Sequence, residues 1–255
     1  MRRILTKDEW RRRRRRRRRI RFTLIAILAL IIFSLFVMLL SSIISMRDGS
    51  SSGGGGWKSV KNRLLGYNND GIEELDLALA NGVKIKQDHL TPNQYSRPQI
   101  PLYGIHGVVI HYTANPGTSA KNNRSYFEGL ARKKNTYASS HYIIGLEGEV
   151  IQCIPLTEIA YASNERNSDT VAIECCIPDD TGRFNEATYS TAVALTAALC
   201  VKFDLKEEDI IRHYDITGKN CPKYFVEHED AWQTFKKDVI TEVERMKSPE
   251  DKSEK

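Results

Sequence analysis

The sequence predicts an α/β fold, a central mixed β-sheet flanked by helices and preceded by one transmembrane helix. Three observations carry this expectation. Short β-branched apolar runs alternate with helical periods through the C-terminal part of the chain, the pattern of strands interleaved with helices. Two of those runs flank Glu147-Gly148, which reads as the turn of a hairpin. Residues 22–45 form an uncharged apolar stretch of 24 residues.

Taken in chain order, residues 1–21 read as a cytoplasmic arginine-rich segment. Thirteen basic residues against Asp8 and Glu9 give it +11, so the remainder of a chain with net charge +6 carries −5. The basic balance therefore reports one arginine run and not the folded domain. The stretch 22–45, as a helix, spans about 36 Å at ~1.5 Å per residue, enough for a ~30 Å hydrocarbon core. It exceeds the roughly 7–15 apolar residues of a cleavable signal, and 42–46 is a poor cleavage site, so an uncleaved anchor is expected. Flanking arginines place the N-terminus inside and the rest outside. Their expected partner is anionic lipid headgroups. A nucleic-acid partner is not expected, because no aromatic residue interrupts the run from Arg11 to Arg19.

Residues 46–100 read as a Gly/Ser linker followed by a juxtamembrane arm, helical through 57–80 and extended through the prolines of 91–101. A catalytic-type domain is expected at 101–247, and a charged tail at 248–255. Within the domain, 107–113 (GVVIHYT) reads as a buried strand. Residues 119–133 read as a helix behind a Thr118 or Ser119 cap, with Tyr126, Phe127 and Leu130 on one face. Residues 141–146 and 149–154 form the hairpin, 170–177 is a second buried strand, and 187–203 a long apolar helix. A short strand at 210–213 precedes a loop, and an amphipathic helix at 228–246 closes the domain. No internal repeat is present.

Candidate chemistry begins at HYDITGKNCP, where His213 and Cys221 straddle a Gly-containing loop. His111 interrupts an otherwise apolar strand. A core histidine explains His111 taken alone, but two imidazoles and a thiolate together make a zinc ligand set. With three protein ligands the fourth tetrahedral position is left for water, the mark of a catalytic site. Glu174 lies inside the apolar run VAIECC, where a carboxylate is costly unless it is paired, metal-associated or working as an acid or base. Strand alternation puts it on one face with Ala172 and Cys176. Lys219 would be carried toward the metal by the loop that holds Cys221, although most loop lysines are only solvated.

In four pieces, VVIHYTANPG, YASSHYIIGLEGEVIQCIP, VAIECC and RHYDITGKNCP, the chain resembles the type 2 zinc amidases of the N-acetylmuramoyl-L-alanine amidase group. That group shares a fold with phage lysozyme-type amidases and peptidoglycan recognition proteins. The pieces occur in the family's order over roughly residues 101–237. The resemblance implies a zinc-dependent hydrolase acting on peptidoglycan, with His111, His213 and Cys221 as ligands. It also implies that Glu174 and Lys219 form the catalytic pair. The phage lysozyme-type branch has a tyrosine where this chain has Ser140, so the branch with glutamate on the central strand is the better guide. His141 is expected either to contact substrate or to fill the cleft wall. The alternative class is a non-catalytic muropeptide-binding module, which typically lacks the cysteine ligand. Of the remaining cysteines, Cys153, Cys175, Cys176 and Cys200, two disulfides are allowed but buried free thiols are favoured.

Overall fold

The computed structural model describes residue 79 and residues 81–248. The arginine run, the expected span at 22–45, the linker, the tail from 249 and nearly all of the helical arm to residue 80 lie outside the described residues. Among the described residues no helix is long and apolar enough to cross a membrane.

The domain is a six-stranded sheet with helices on both faces. Its strands are β1 (Ile85–Gln87), β2 (Val108–Tyr112), β3 (Tyr142–Ile144), β4 (Val150–Gln152), β5 (Val171–Cys175) and β6 (Ile210–Arg212). They lie in the order β1-β4-β3-β5-β2-β6, and only the β3–β4 hairpin is antiparallel. Parallel strands need crossover helices, which cover both faces, so the central strands read as nearly unbroken apolar runs. Four of the five residues of β2 and four of the five of β5 are buried. The exceptions are Tyr112 and Glu174.

One face is covered by α2 (Glu186–Phe203) and α5 (Glu229–Lys247). There Val108, Ile110, Val171 and Ile173 meet Leu195, Leu199, Phe235 and Val239. Helix α2 is apolar around most of its circumference, as a helix enclosed between a sheet and a second helix must be. Asn185 caps it by accepting the Thr188 N–H at 2.9 Å. The other face is covered by α1 (Ala120–Lys133), whose Phe127 and Leu130 pack on Ile143 and Ile151. Ser119 caps α1 in a reciprocal box with Asn122. Two short helices, α3 (His213–Thr217) and α4 (Lys223–Glu227), follow β6 where a loop was expected.

Ordered structure packed against the sheet extends upstream of residue 101. Residues 85–87, assigned from the sequence to the arm, pair with Val150–Gln152 as an edge strand. Leu90 is fully buried against α1, and Arg97 forms a two-pronged ion pair with Glu158 at 2.8 and 2.9 Å. The strand was illegible because it is three residues long, sits at the edge and leaves Lys86 and Gln87 in solvent. Backbone pairing holds it, and backbone pairing leaves no apolar period to read.

Candidate metal centre

Strand register assembles the first half of the site. His111 on β2 stands opposite Glu174 on β5, so the two side chains leave the same face near the C-terminal ends of parallel strands. Ligand sites in open α/β sheets gather at such ends. β6 lies on the other side of β2 and delivers His213 one residue beyond its end, at the first position of α3.

That position is held firmly. Arg212, almost fully buried, pairs with Asp215 at 2.8 Å and Glu229 at 2.7 Å and donates to the Phe225 carbonyl at 2.9 Å. The Asp215 carboxylate also accepts the Arg212 backbone N–H, closing the start of α3. Gly218, at φ +74°, ends the helix in a left-handed conformation that costs glycine nothing. The chain then returns Cys221 to the strand ends, where its carbonyl accepts the Tyr214 N–H at 2.9 Å.

His111, His213 and Cys221 are all buried, and one ligand atom from each lies within 4.8 Å of the other two. The Cys221 sulfur is 3.8 Å from His111 Nδ1. The opposite nitrogens are engaged elsewhere: His111 Nε2 meets the Ser163 hydroxyl at 3.3 Å, and His213 Nε2 meets Asn164 Oδ1 at 3.0 Å. His213 Nδ1 is buried without a hydrogen-bond partner. An orphaned imidazole nitrogen beside a second imidazole and a thiol is costly unless a cation sits among them, and this donor set suits zinc. Burial, the neighbouring imidazole and the Lys219 charge hold His111 well below the usual histidine range. Burial and Lys219 also lower His213. Both rings are therefore neutral at physiological pH, the form that ligates. Burial pushes the Cys221 thiol up to about 12, with the Glu174 charge adding to the effect. Its deprotonation thus depends on a cation bound close by.

These three side chains line a cleft of about 400 Å³ together with Glu174 and Lys219. Glu174 is partly open to the cleft, but its Oε2 is enclosed without a partner. Burial raises its pKa to about 8, against the opposing pull of Lys219. A carboxyl poised near neutrality can take up and return a proton. The other wall is aromatic: Tyr137 stacks on Tyr95 at 5.2 Å between ring centres and meets Tyr161 edge-on at 5.6 Å.

His141, expected either to contact substrate or to fill the cleft wall, is not among the residues that line the cleft. The ring is buried, Nδ1 accepts the Ala172 N–H at 3.0 Å, and Nε2 donates to the Glu158 carbonyl at 3.0 Å. Both nitrogens are spent on tying β3 to β5 and to the loop before residue 159. Ser140 is likewise turned inward, donating to the Tyr142 carbonyl at 2.9 Å. All five cysteines are buried and free of disulfides.

Sequence reasoning did not find Ser163, Asn164, Arg212 or the tyrosine wall. Only Arg212 left a trace, as an Arg and an Asp three residues apart at the start of a helical turn.

Residues 101–224 match the family model described as N-acetylmuramoyl-L-alanine amidase. This part of the chain is similar to that family. N-acetylmuramoyl-L-alanine amidase CwlL of Bacillus licheniformis is 36% identical over 171 residues, covering 62% of this chain and 47% of that protein. N-acetylmuramoyl-L-alanine amidase BlyA of Bacillus subtilis (strain 168) is 35% identical over 172 residues, covering 59% and 45% respectively. The chain thus spans about half the length of the amidases it matches. Among solved structures, the PlyG catalytic domain superposes with a TM-score of 0.53 at 23% identity, covering 66% of this chain and 99% of that one. A mutant endolysin from Bacillus subtilis gives 0.52 at 23%, covering 62% and 99%. At such identity the likeness establishes the amidase fold and nothing finer.

Proposed function

We propose that this chain is a zinc-dependent amidase that hydrolyses the amide between the lactyl group of N-acetylmuramic acid and L-alanine in peptidoglycan. The reading rests above all on one observation, the convergence of three ligand atoms within 4.8 Å beside a partly buried carboxyl. The match of residues 101–224 to the amidase family model supports the substrate class.

His111, His213 and Cys221 would hold the zinc, which would supply Lewis acidity and lower the pKa of water toward ~7. Glu174 accepts a proton from the attacking water and returns it to the departing alanine nitrogen. A dication held beside it would favour the ionised carboxylate, the form that accepts the first proton. Lys219 presents its ammonium to the cleft and stabilises negative charge developing on the scissile carbonyl oxygen. The chain is further proposed to be a single-pass bacterial membrane protein with the domain outside, anchored through 22–45, its arginines against anionic lipid.

The test is mass spectrometry of purified peptidoglycan incubated with the full-length protein, with and without chelator. Release of peptides bearing a free L-alanine amino terminus, abolished by chelation and restored by zinc, is the expected result. Zinc binding without any such release would replace the enzyme by a muropeptide-binding module.

A further inference from the structure

Both histidines of the metal centre turn one nitrogen toward the cleft and give the other to the start of a short 3-10 helix, Asn164–Ser168, and its preceding residue Ser163. Ser163 Oγ lies 3.3 Å from His111 Nε2, and Asn164 Oδ1 lies 3.0 Å from His213 Nε2. An amide oxygen only accepts, so His213 must carry its proton on Nε2, leaving the Nδ1 lone pair open. The partnerless state of that Nδ1 agrees. For His111 the same tautomer leaves Nδ1 facing the Cys221 sulfur at 3.8 Å.

That segment is itself held by one side chain. Asn167 Oδ1 accepts the backbone N–H of Ala162 at 3.0 Å and of Ser163 at 2.6 Å. Ser163 is buried, and Asn164 adopts φ +52°, a left-handed conformation that asparagine tolerates better than most residues. That backbone geometry aims two adjacent side chains at two different rings. The rings themselves stand 4.8 Å apart, nearly edge-on.

We propose that residues 162–167 form one positioning element for the metal centre. Asn167 sets the backbone, and Ser163 and Asn164 fix the tautomer and orientation of both ligand histidines. None of the three is a ligand or a catalytic residue. The inference rests on the zinc reading above, because ring orientation matters to function only if a cation is bound. Partners of this kind typically govern metal affinity by 10–100-fold.

The experiment measures zinc affinity of the full-length protein by competition with a chromophoric chelator, and the visible absorption of its cobalt(II) form. Asn164→Gly removes the amide while relieving the left-handed backbone, so the fold is retained; we expect 10–100-fold weaker zinc binding and shifted cobalt bands. Asn164→Asp keeps an acceptor at the same place and restores both. Ser163→Ala weakens binding through His111. Asn167→Leu does so with both ring partners intact, and if that variant fails to fold, the Ser163 and Asn164 variants carry the test. Wild-type affinity and an unchanged cobalt spectrum in Asn164→Gly and Ser163→Ala would overturn the positioning role. Failure of the wild-type protein to bind zinc at all would overturn the zinc reading beneath it, a distinguishable result.

Discussion

Glu174 offers a test of the site that needs neither metal nor substrate. Its carboxyl is raised from an ordinary 4.5 to about 8 by burial. The folded metal-free protein therefore holds a proton there that the unfolded chain releases above pH ~4.5. Between those two values the folded state binds more protons, so this residue's contribution to stability falls as pH rises and is lost by pH ~8. At about 1.36 kcal/mol per pH unit, a rise from 4.5 to about 8 sets a ceiling of about 5 kcal/mol. Part of the side chain still meets solvent in the cleft, which screens the penalty, and about 2 kcal/mol is the working figure. Glu174→Gln is nearly isosteric and carries no ionisable proton. In chelator-treated protein unfolded by urea, the stability of Glu174→Gln relative to wild type should rise by about 2 kcal/mol between pH 5 and pH 9. The neighbouring imidazoles and thiols titrate in both proteins and largely cancel in the difference. A stability gap identical at the two pH values would refute the claim that this carboxyl is held protonated by its surroundings.

Cys221→Ser should abolish tight zinc binding while leaving far-UV circular dichroism unchanged, since the residue closes no disulfide; retained stoichiometric zinc by elemental analysis would count against the ligand set. Arg97→Ala should cost about 3 kcal/mol by urea denaturation, because it strands the mostly buried Glu158 carboxylate; a neutral result would return residues 85–100 to the status of a detachable arm. His141→Leu should lower stability by about 1–3 kcal/mol by orphaning the Ala172 N–H and the Glu158 carbonyl, yet leave zinc affinity within a few-fold of wild type. Asn185→Ala should cost about 1 kcal/mol through loss of the α2 cap, read as a lower thermal midpoint.

The parts of the site that were legible in the sequence share one property: each violates its local environment. His111 and Glu174 are polar residues in apolar runs, and a buried polar group demands an explanation that points to chemistry. Cys221 and His213 gain meaning from pairing with them. His141 is a buried polar residue of another kind, because a backbone N–H and a carbonyl satisfy its ring as fully as a ligand could. A sequence displays that a polar group is buried but not what satisfies it.

The partners of the metal histidines are hidden for the opposite reason. Ser163, Asn164 and Asn167 sit at and within a short polar 3-10 helix, Asn164–Ser168, where their residue types are expected and nothing is violated. Their importance comes from direction: one amide oxygen holds two backbone N–H groups, and the resulting turn sends two neighbouring side chains to separate rings. The same holds for β1, whose place in the sheet rests on backbone bonds that any residues could make. Strand alternation constrains which face a side chain takes, so the face Glu174 shares with Ala172 could be read in advance, while its register against His111 could not. A single 3-10 turn is too short to carry such a period. The half of this site built on strands was open to inference from order alone, whereas the half that orients it depends on local dihedral angles that the order of residues leaves free.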